Sequence, residues 1–160
     1  MNETHQAIIE QIRALGQSIE ELVVSIPENQ LSKKPDNDSW SIQEIVSHTR
    51  NVVMLAYGLR IRRLFIESDP LFADYDEDNE LLRELIDRDP VKESARMIRV
   101  EHDQIADLLS LLPDAAWQRA GTHRTSGRLT IQFLAERIVA HAQEHHQQIE
   151  ITVQNFAIVN

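Results

Sequence analysis

The 160-residue sequence has no cysteine, four glycines, five prolines and 5% aromatic residues, and its 26 Asp and Glu outnumber 16 Lys and Arg. Each shortage excludes something. Without cysteine there is no disulfide framework, thiolate metal site, iron–sulfur cluster or cysteine nucleophile, so any metal must be held by His, Asp or Glu. A formal charge of −10 and an isoelectric point near 5.1 have the wrong sign for a phosphate backbone, and nucleic acid is not an expected partner. No stretch approaches the roughly 18 uncharged apolar residues of a membrane span. Glu3, Glu10, Glu20 and Glu21 break up the N-terminal segment, so neither a secretory leader nor a membrane attachment is expected, and the protein is expected to be cytoplasmic. At 18.5 kDa a chain buries roughly 70% of the surface it would expose unfolded, which predicts one domain over residues 1–160.

What is present is helical periodicity. Ile8, Ile12, Leu15, Ile19, Leu22 and Ile26 recur at steps of three and four until Pro27 ends the stripe. Ser41 and Glu44 spell a capping box before a second stripe of Ile45, His48 or Thr49, Val52, Leu55 or Ala56, and Leu59, predicting a helix to Phe65 or Ile66. The acidic run Asp74, Asp76, Glu77, Asp78, Glu80 reads as a solvated connection, since it lacks the central Gly and terminal Glu of an EF-hand loop. A short helical piece is expected around Leu81, Leu82, Leu85 and Ile86. Asp89 and Pro90 predict the N-cap and first turn of a third helix with Val91, Ala95, Ile98, His102, Ile105, Leu109 and Leu112 on one face, ending at Pro113. After a loop from Trp117 to Gly127, a fourth helix runs from about Thr130 to Gln154, with Leu134, Ile138, His141, His145, Ile149 and Thr152 on one face; the residues beyond it are a helix end or a frayed tail. The pattern is that of an all-α, four-helix bundle whose longer crossover contains a short extra helix.

Three of the seven histidines occupy places on these stripes where a leucine would be ordinary. His141 and His145, four apart, project from one face of the fourth helix, and His48 sits between Ile45 and Val52 on the second. Neutral imidazole binds zinc, nickel, iron or copper, and an i, i+4 pair brings two nitrogens to one ion. A third imidazole from a facing helix leaves coordination positions open for water or substrate. The bland alternative is buried histidines satisfied by hydrogen bonds, at a desolvation cost of roughly 1–3 kcal/mol each where they are not. His141, Glu144 and His145 also spell the H-x-x-E-H signature of a zinc peptidase class, but that enzyme needs a far larger scaffold and a downstream Glu ligand. Glu144 can still orient a ligand or take a proton from bound water; a solvent-facing carboxylate is its commoner fate. Gln148, one turn below His145, and Glu44, one turn before His48, can each fix a ligand tautomer.

The run Trp40-Ser41-Ile42-Gln43-Glu44-Ile45-Val46-Ser47-His48, together with His141-x-x-x-His145-x-x-Gln148-Ile149, resembles the DinB-like superfamily over nearly the whole chain. Leu112-Pro113, Trp117, Gly121-Thr122-His123 and Leu129-Thr130 resemble the loop before that family's last helix. The resemblance implies an up-down-down-up bundle that often forms a homodimer, with a divalent metal ion, commonly zinc or nickel, on the positions of His48, His141 and His145. It further implies thiol-dependent transfer from a low-molecular-weight thiol, isomerisation or hydrolysis, with a small-molecule substrate. Since the chain has no thiol, any transferred thiol must come from a small molecule. Two departures stand out: Glu144 occupies a position that is often histidine in the family, and His102 one that is arginine in many relatives. His102 is a candidate fourth ligand, proton shuttle or hydrogen-bonded core histidine. His5 is expected in solvent near the terminus, His146 at a surface or interface, and His123 either over the metal face or exposed. Arg119, Arg124 and Arg128 either attract an anionic substrate or balance local acids. The leading expectation is a metal-dependent transferase or hydrolase with Glu144 and His102 as candidate catalytic groups; the alternative is a non-catalytic interaction module with a structural metal.

Overall fold

Asn2 starts the first helix by accepting the His5 N–H on its Oδ1 at 2.9 Å, and α1 runs over Glu3–Ser25 before Ile26 turns extended ahead of Pro27. The structure, a computed structural model, describes residues 2–79, 81–82, 84 and 88–158. A single turn, α2 (Glu28–Leu31), buries Leu31. The capping box expected at Ser41 and Glu44 is present and opens α3 (Ile42–Val52). A π-helical stretch, Val53–Gly58, carries α3 into α4 (Leu59–Ile66). After the crossover come α5 (Val91–Ser110) and, beyond a 3-10 turn at Asp114–Gln118, the long α6 (Ile131–Ile158), whose first turn is capped by Thr130 Oγ1 accepting from Phe133 N at 3.0 Å.

The apolar stripes form two clusters. One contains Ile12, Val53, Ile61, Leu64, Ile105, Leu109, Trp117, Leu134 and Ile138; the other contains Ile19, Val23, Ile42, Ile45, Val46, Ala95, Ile98, Ala142 and Ile149. Chain direction follows from them. α1 and α6 enter the first cluster before the second, while α3–α4 and α5 enter the second before the first. The topology is therefore up-down-down-up, with α1 and α3 each packed on both α5 and α6. Where the clusters meet, the helices place Gly16, Thr49, His102 and His141 in place of large apolar side chains. Gly16 lets α1 approach α5: a Cβ there would lie 2.8 Å from His102 Cβ and 3.2 Å from the Arg99 Cα. Gly16→Ala is expected to lower stability by about 1–3 kcal/mol through overpacking, read as a shift of the urea midpoint. An unchanged midpoint would mean the helices separate freely here.

Three local features differ from the sequence expectation. The π stretch offsets the second stripe, so Leu55 and Leu59 are exposed while Ala56, Ile61 and Leu64 are buried. Asp89 does not cap α5, which starts one residue later behind Pro90; its carboxylate instead pairs with the buried Arg50 of α3. The Trp117–Gly127 loop contains a hairpin, β2 (Ala120–His123) and β3 (Gly127–Thr130), with Gly127 at φ +74° in its turn. β2 also pairs in parallel with β1 (Leu71–Phe72) of the crossover, in the register Leu71 to Thr122 and Phe72 to His123. Strands of two and four residues are too short to leave an alternation in sequence. Arg119 donates to the Glu67 carbonyl, and Arg128 pairs with Asp69, so these two arginines tie the hairpin to the start of the crossover. Of the helical piece expected in the crossover, Leu81 and Leu82 are helical, while Leu85 and Ile86 lie outside the described residues.

Candidate metal centre

α3 delivers His48 one turn above the π stretch, and α6 delivers His141 and His145 on successive turns. Their Nε2 atoms converge: His141 Nε2 lies 3.2 Å from His48 Nε2 and 3.1 Å from His145 Nε2. One nitrogen from each ring falls within 4.8 Å of both others, and this is the one such cluster of three or more potential ligand residues among the described residues. Tetrahedral zinc with Zn–N distances of about 2.0–2.1 Å holds its ligand nitrogens about 3.3 Å apart, so the spacing suits a small divalent ion. Lone pairs facing one another at this distance repel unless a proton or cation lies between them.

Burial sets the protonation. His141 and His145 are 9% and 7% exposed. Burial first, then the neighbouring His145, His48, Arg137 and His102, push the His141 imidazole down to about 3. Burial and His145 also lower His48, opposed by Glu77 and Glu144. Both rings are thus held in the neutral, ligating form near neutral pH. The outer nitrogen of His145 has an acceptor. His145 Nδ1 donates to Gln148 Oε1 at 2.8 Å, which turns its Nε2 lone pair to the centre. His48 Nδ1 faces the Glu77 carboxylate at 3.8 Å. Trp40 meets His48 edge-on at 5.1 Å and Tyr57 meets His141 likewise at 5.8 Å, fixing ring orientation from two sides.

The sequence candidates separate on this geometry. His48, His141 and His145 come together, with Gln148 as the tautomer-fixing partner. Glu44 is occupied by Ser41 in the capping box and by Lys34 at 2.9 Å. Glu144 is exposed on the rim, where its charge acts on His48. His102 lies outside the cluster, 1% exposed, with Nδ1 donating to the Ile98 carbonyl at 2.8 Å and Nε2 buried with no hydrogen-bond partner among the described residues. His5 is buried rather than solvated: it stacks on Trp117 at 3.9 Å and bonds Asp114 at 2.8 Å, because α1 docks its first turn against the 3-10 segment. His146 bonds Ser18 Oγ at 2.8 Å, joining α6 to α1. His123 is buried within the hairpin.

Three hollows open on the cluster, one of them, about 560 Å³, lined by Trp40, Glu144, His145 and Gln148. A second cleft of about 560 Å³ runs from His48 past Trp40, Lys34, Glu44, Tyr75 and Glu77. A smaller one, about 370 Å³, is lined by His48, His141, Tyr57, Asp74, Tyr75 and His123. Tyr57 and Tyr75 did not stand out in the sequence, and Asp74 and Glu77 read only as part of a solvated acidic run; the last three lie in a crossover whose pairing with β2 has no local signal.

Bundle and cluster define the class, a four-helix-bundle protein with a trihistidine candidate metal centre onto which open hollows lead. The chain belongs to the DinB superfamily, which it matches over residues 11–149. It is 21% identical over 147 residues to a protein of Oceanobacillus iheyensis named as a candidate metal-dependent hydrolase, spanning 92% of this chain and 84% of the relative. A Halalkalibacterium halodurans protein with the same designation is 23% identical over 146 residues, 91% of this chain and 84% of the relative. Among solved structures, YfiT from Bacillus subtilis, described as a probable metal-dependent hydrolase with an unusual four-helix bundle topology, superposes with a TM-score of 0.87 at 19% identity, covering 98% of this chain and 90% of YfiT. The superposition establishes the shared fold. No helix among the described residues is long and apolar enough to cross a membrane.

Proposed function

We propose that this protein is a metal-dependent hydrolase in which Nε2 of His48, His141 and His145 hold one zinc or nickel ion. The observation that carries the reading is the convergence of three Nε2 atoms, two of the contacts at 3.1 and 3.2 Å, in a bundle interior that opens into solvent-reachable hollows. Bound there, a divalent ion supplies the Lewis acidity that makes water, or a small-molecule thiol, nucleophilic near neutral pH.

The chain's own groups have separable tasks in this reading. Gln148 holds the outer nitrogen of His145 and so keeps its inner one unprotonated, while the Glu77 carboxylate lies 3.8 Å from the outer nitrogen of His48. Trp40 and Tyr57 restrain the rings. Glu144, exposed beside His48, is the nearest candidate on α6 to accept a proton released at the centre. The cleft past Trp40 and Tyr75 suits a small molecule and, with Glu44 and Glu77 on its walls, disfavours a polyanion. His102, whose Nδ1 serves the Ile98 carbonyl, is a packing residue of the layer between the two clusters. An open three-nitrogen centre supports catalysis over a closed structural metal, which requires a fourth protein ligand.

The test is elemental analysis after reconstitution with zinc and with nickel, followed by a panel of chromogenic esters and amides, with and without an added low-molecular-weight thiol. The expected outcome is stoichiometric metal and turnover that chelation abolishes and metal restores. Protein that retains no metal, or turnover indifferent to chelation, removes the reading; turnover that requires the thiol converts hydrolysis into transfer.

A further inference from the structure

His123 is buried, 7% exposed, at the end of β2, and its two ring nitrogens face different surroundings. Nδ1 accepts from the backbone N–H of Thr125 at 3.3 Å and of Ser126 at 3.2 Å, with Thr125 Oγ1 at 3.1 Å. Backbone amides can only donate, so the Nδ1 lone pair is committed to the hairpin turn. In the neutral ring the hydrogen then sits on Nε2. That edge faces Asp74 Oδ1 at 3.4 Å, and both residues line the hollow that also holds His48 and His141. The arrangement comes from strand register: parallel pairing sets Phe72 opposite His123, which brings Asp74, two residues on, alongside the ring.

We infer that His123 is a substrate-touching hydrogen-bond donor, whose Nε2–H receives the carbonyl oxygen of an acyl substrate bound at the trihistidine centre. The ring has no free lone pair with which to act as a base, so its contribution is to bind and polarise an oxygen. Asp74 Oδ1, 3.4 Å away on the same edge of the ring, makes no hydrogen bond to it among the described residues, so the Nε2–H is available to a ligand in the hollow. The inference rests on the hydrolase reading above, and it assigns the substrate an acyl group with an accessible oxygen.

The test uses His123→Asn, because the Asn side-chain oxygen can take over the acceptor role of Nδ1 toward the turn while the Nε2 donor is lost. Acetohydroxamate, a small carbonyl-bearing metal chelator, is the probe, titrated calorimetrically into zinc-loaded wild type and variant. Expected are unchanged metal stoichiometry, an unchanged melting temperature and roughly tenfold weaker probe binding in the variant, the scale of one lost hydrogen bond. Long-range nitrogen–proton NMR on the wild type should report His123 protonated at Nε2. Equal probe affinity in the two proteins, or a hydrogen on Nδ1, overturns the inference while leaving the hydrolase reading standing. Wild type that binds no zinc overturns that reading, and the inference with it. A purely structural His123 predicts no affinity change in the Asn variant.

Discussion

His141→Ala is expected to eliminate stoichiometric metal binding. His141 is the central nitrogen of the three, within 3.1 and 3.2 Å of both others, so its removal leaves two imidazoles on different helices with no bridging ligand. Losing an outer-shell partner of a metal ligand costs about 10–100-fold in affinity, and losing a ligand should cost more than about 100-fold. Thermal denaturation provides an independent reading. An ion that binds the folded chain at a hundred times its Kd stabilises it by about 2.7 kcal/mol, so wild type should melt higher with added zinc while the variant does not respond. Because the replaced ring is disfavoured in its charged form by burial, the metal-free variant is expected to fold, and loss of metal should appear without loss of structure. A variant that keeps wild-type stoichiometry and melting response would remove His141 from the ligand set.

Acid is expected to destabilise the metal-free protein well before its carboxylates titrate. His48, His102 and His141 are all lowered in the folded chain, burial being the first cause for each. In the unfolded chain they return to about 6.5. Below that value the unfolded state takes up protons that the folded state refuses, so stability that is complete above pH 6.5 is lost as the pH falls toward the folded values, about 3 for His141. Each histidine contributes up to about 1.4 kcal/mol per pH unit in this window. Urea midpoints measured from pH 7.5 to 5, with metal chelated, should fall steadily. His102→Leu, which removes the most deeply buried of the three rings, should flatten the slope, and saturating zinc should delay its onset. A midpoint independent of pH over this range would show that the imidazoles become charged without opening the bundle.

The legible part of this protein is the part that repeats. Stripes at three- and four-residue spacing place Ile12, Ile45, Ile98 and Ile138 in the core, and the same arithmetic puts His48, His141 and His145 on inward faces because helical geometry ties position in sequence to direction in space. Gln148 follows by the same rule, one turn from His145. Helix ends written in local chemistry, such as the Ser41 and Glu44 capping box, are equally readable. The π stretch marks the limit even within a helix: its backbone offset moves Leu55 and Leu59 to the surface, and nothing in their side chains announces it.

The crossover and the hairpin belong to the tertiary structure. Asp74, Tyr75 and Glu77 read as a polar run, and become walls of the site once β1 pairs with β2. His5 is five residues from the start of the chain and is nonetheless buried against Trp117, because docking of α1 on the 3-10 turn decides its exposure. His123 shows the division most plainly. Its position in a loop was visible in the sequence, but which nitrogen carries its hydrogen depends on two amides folded back over the ring and on a carboxylate from 49 positions earlier in the chain. Helical periodicity is a local property that one sequence carries whole, so the bundle and its three inward histidines could be read directly. Strand pairing across a long connection is set by the packed whole, and so the walls of the site, and the direction in which its polar groups point, were decided only when the chain folded.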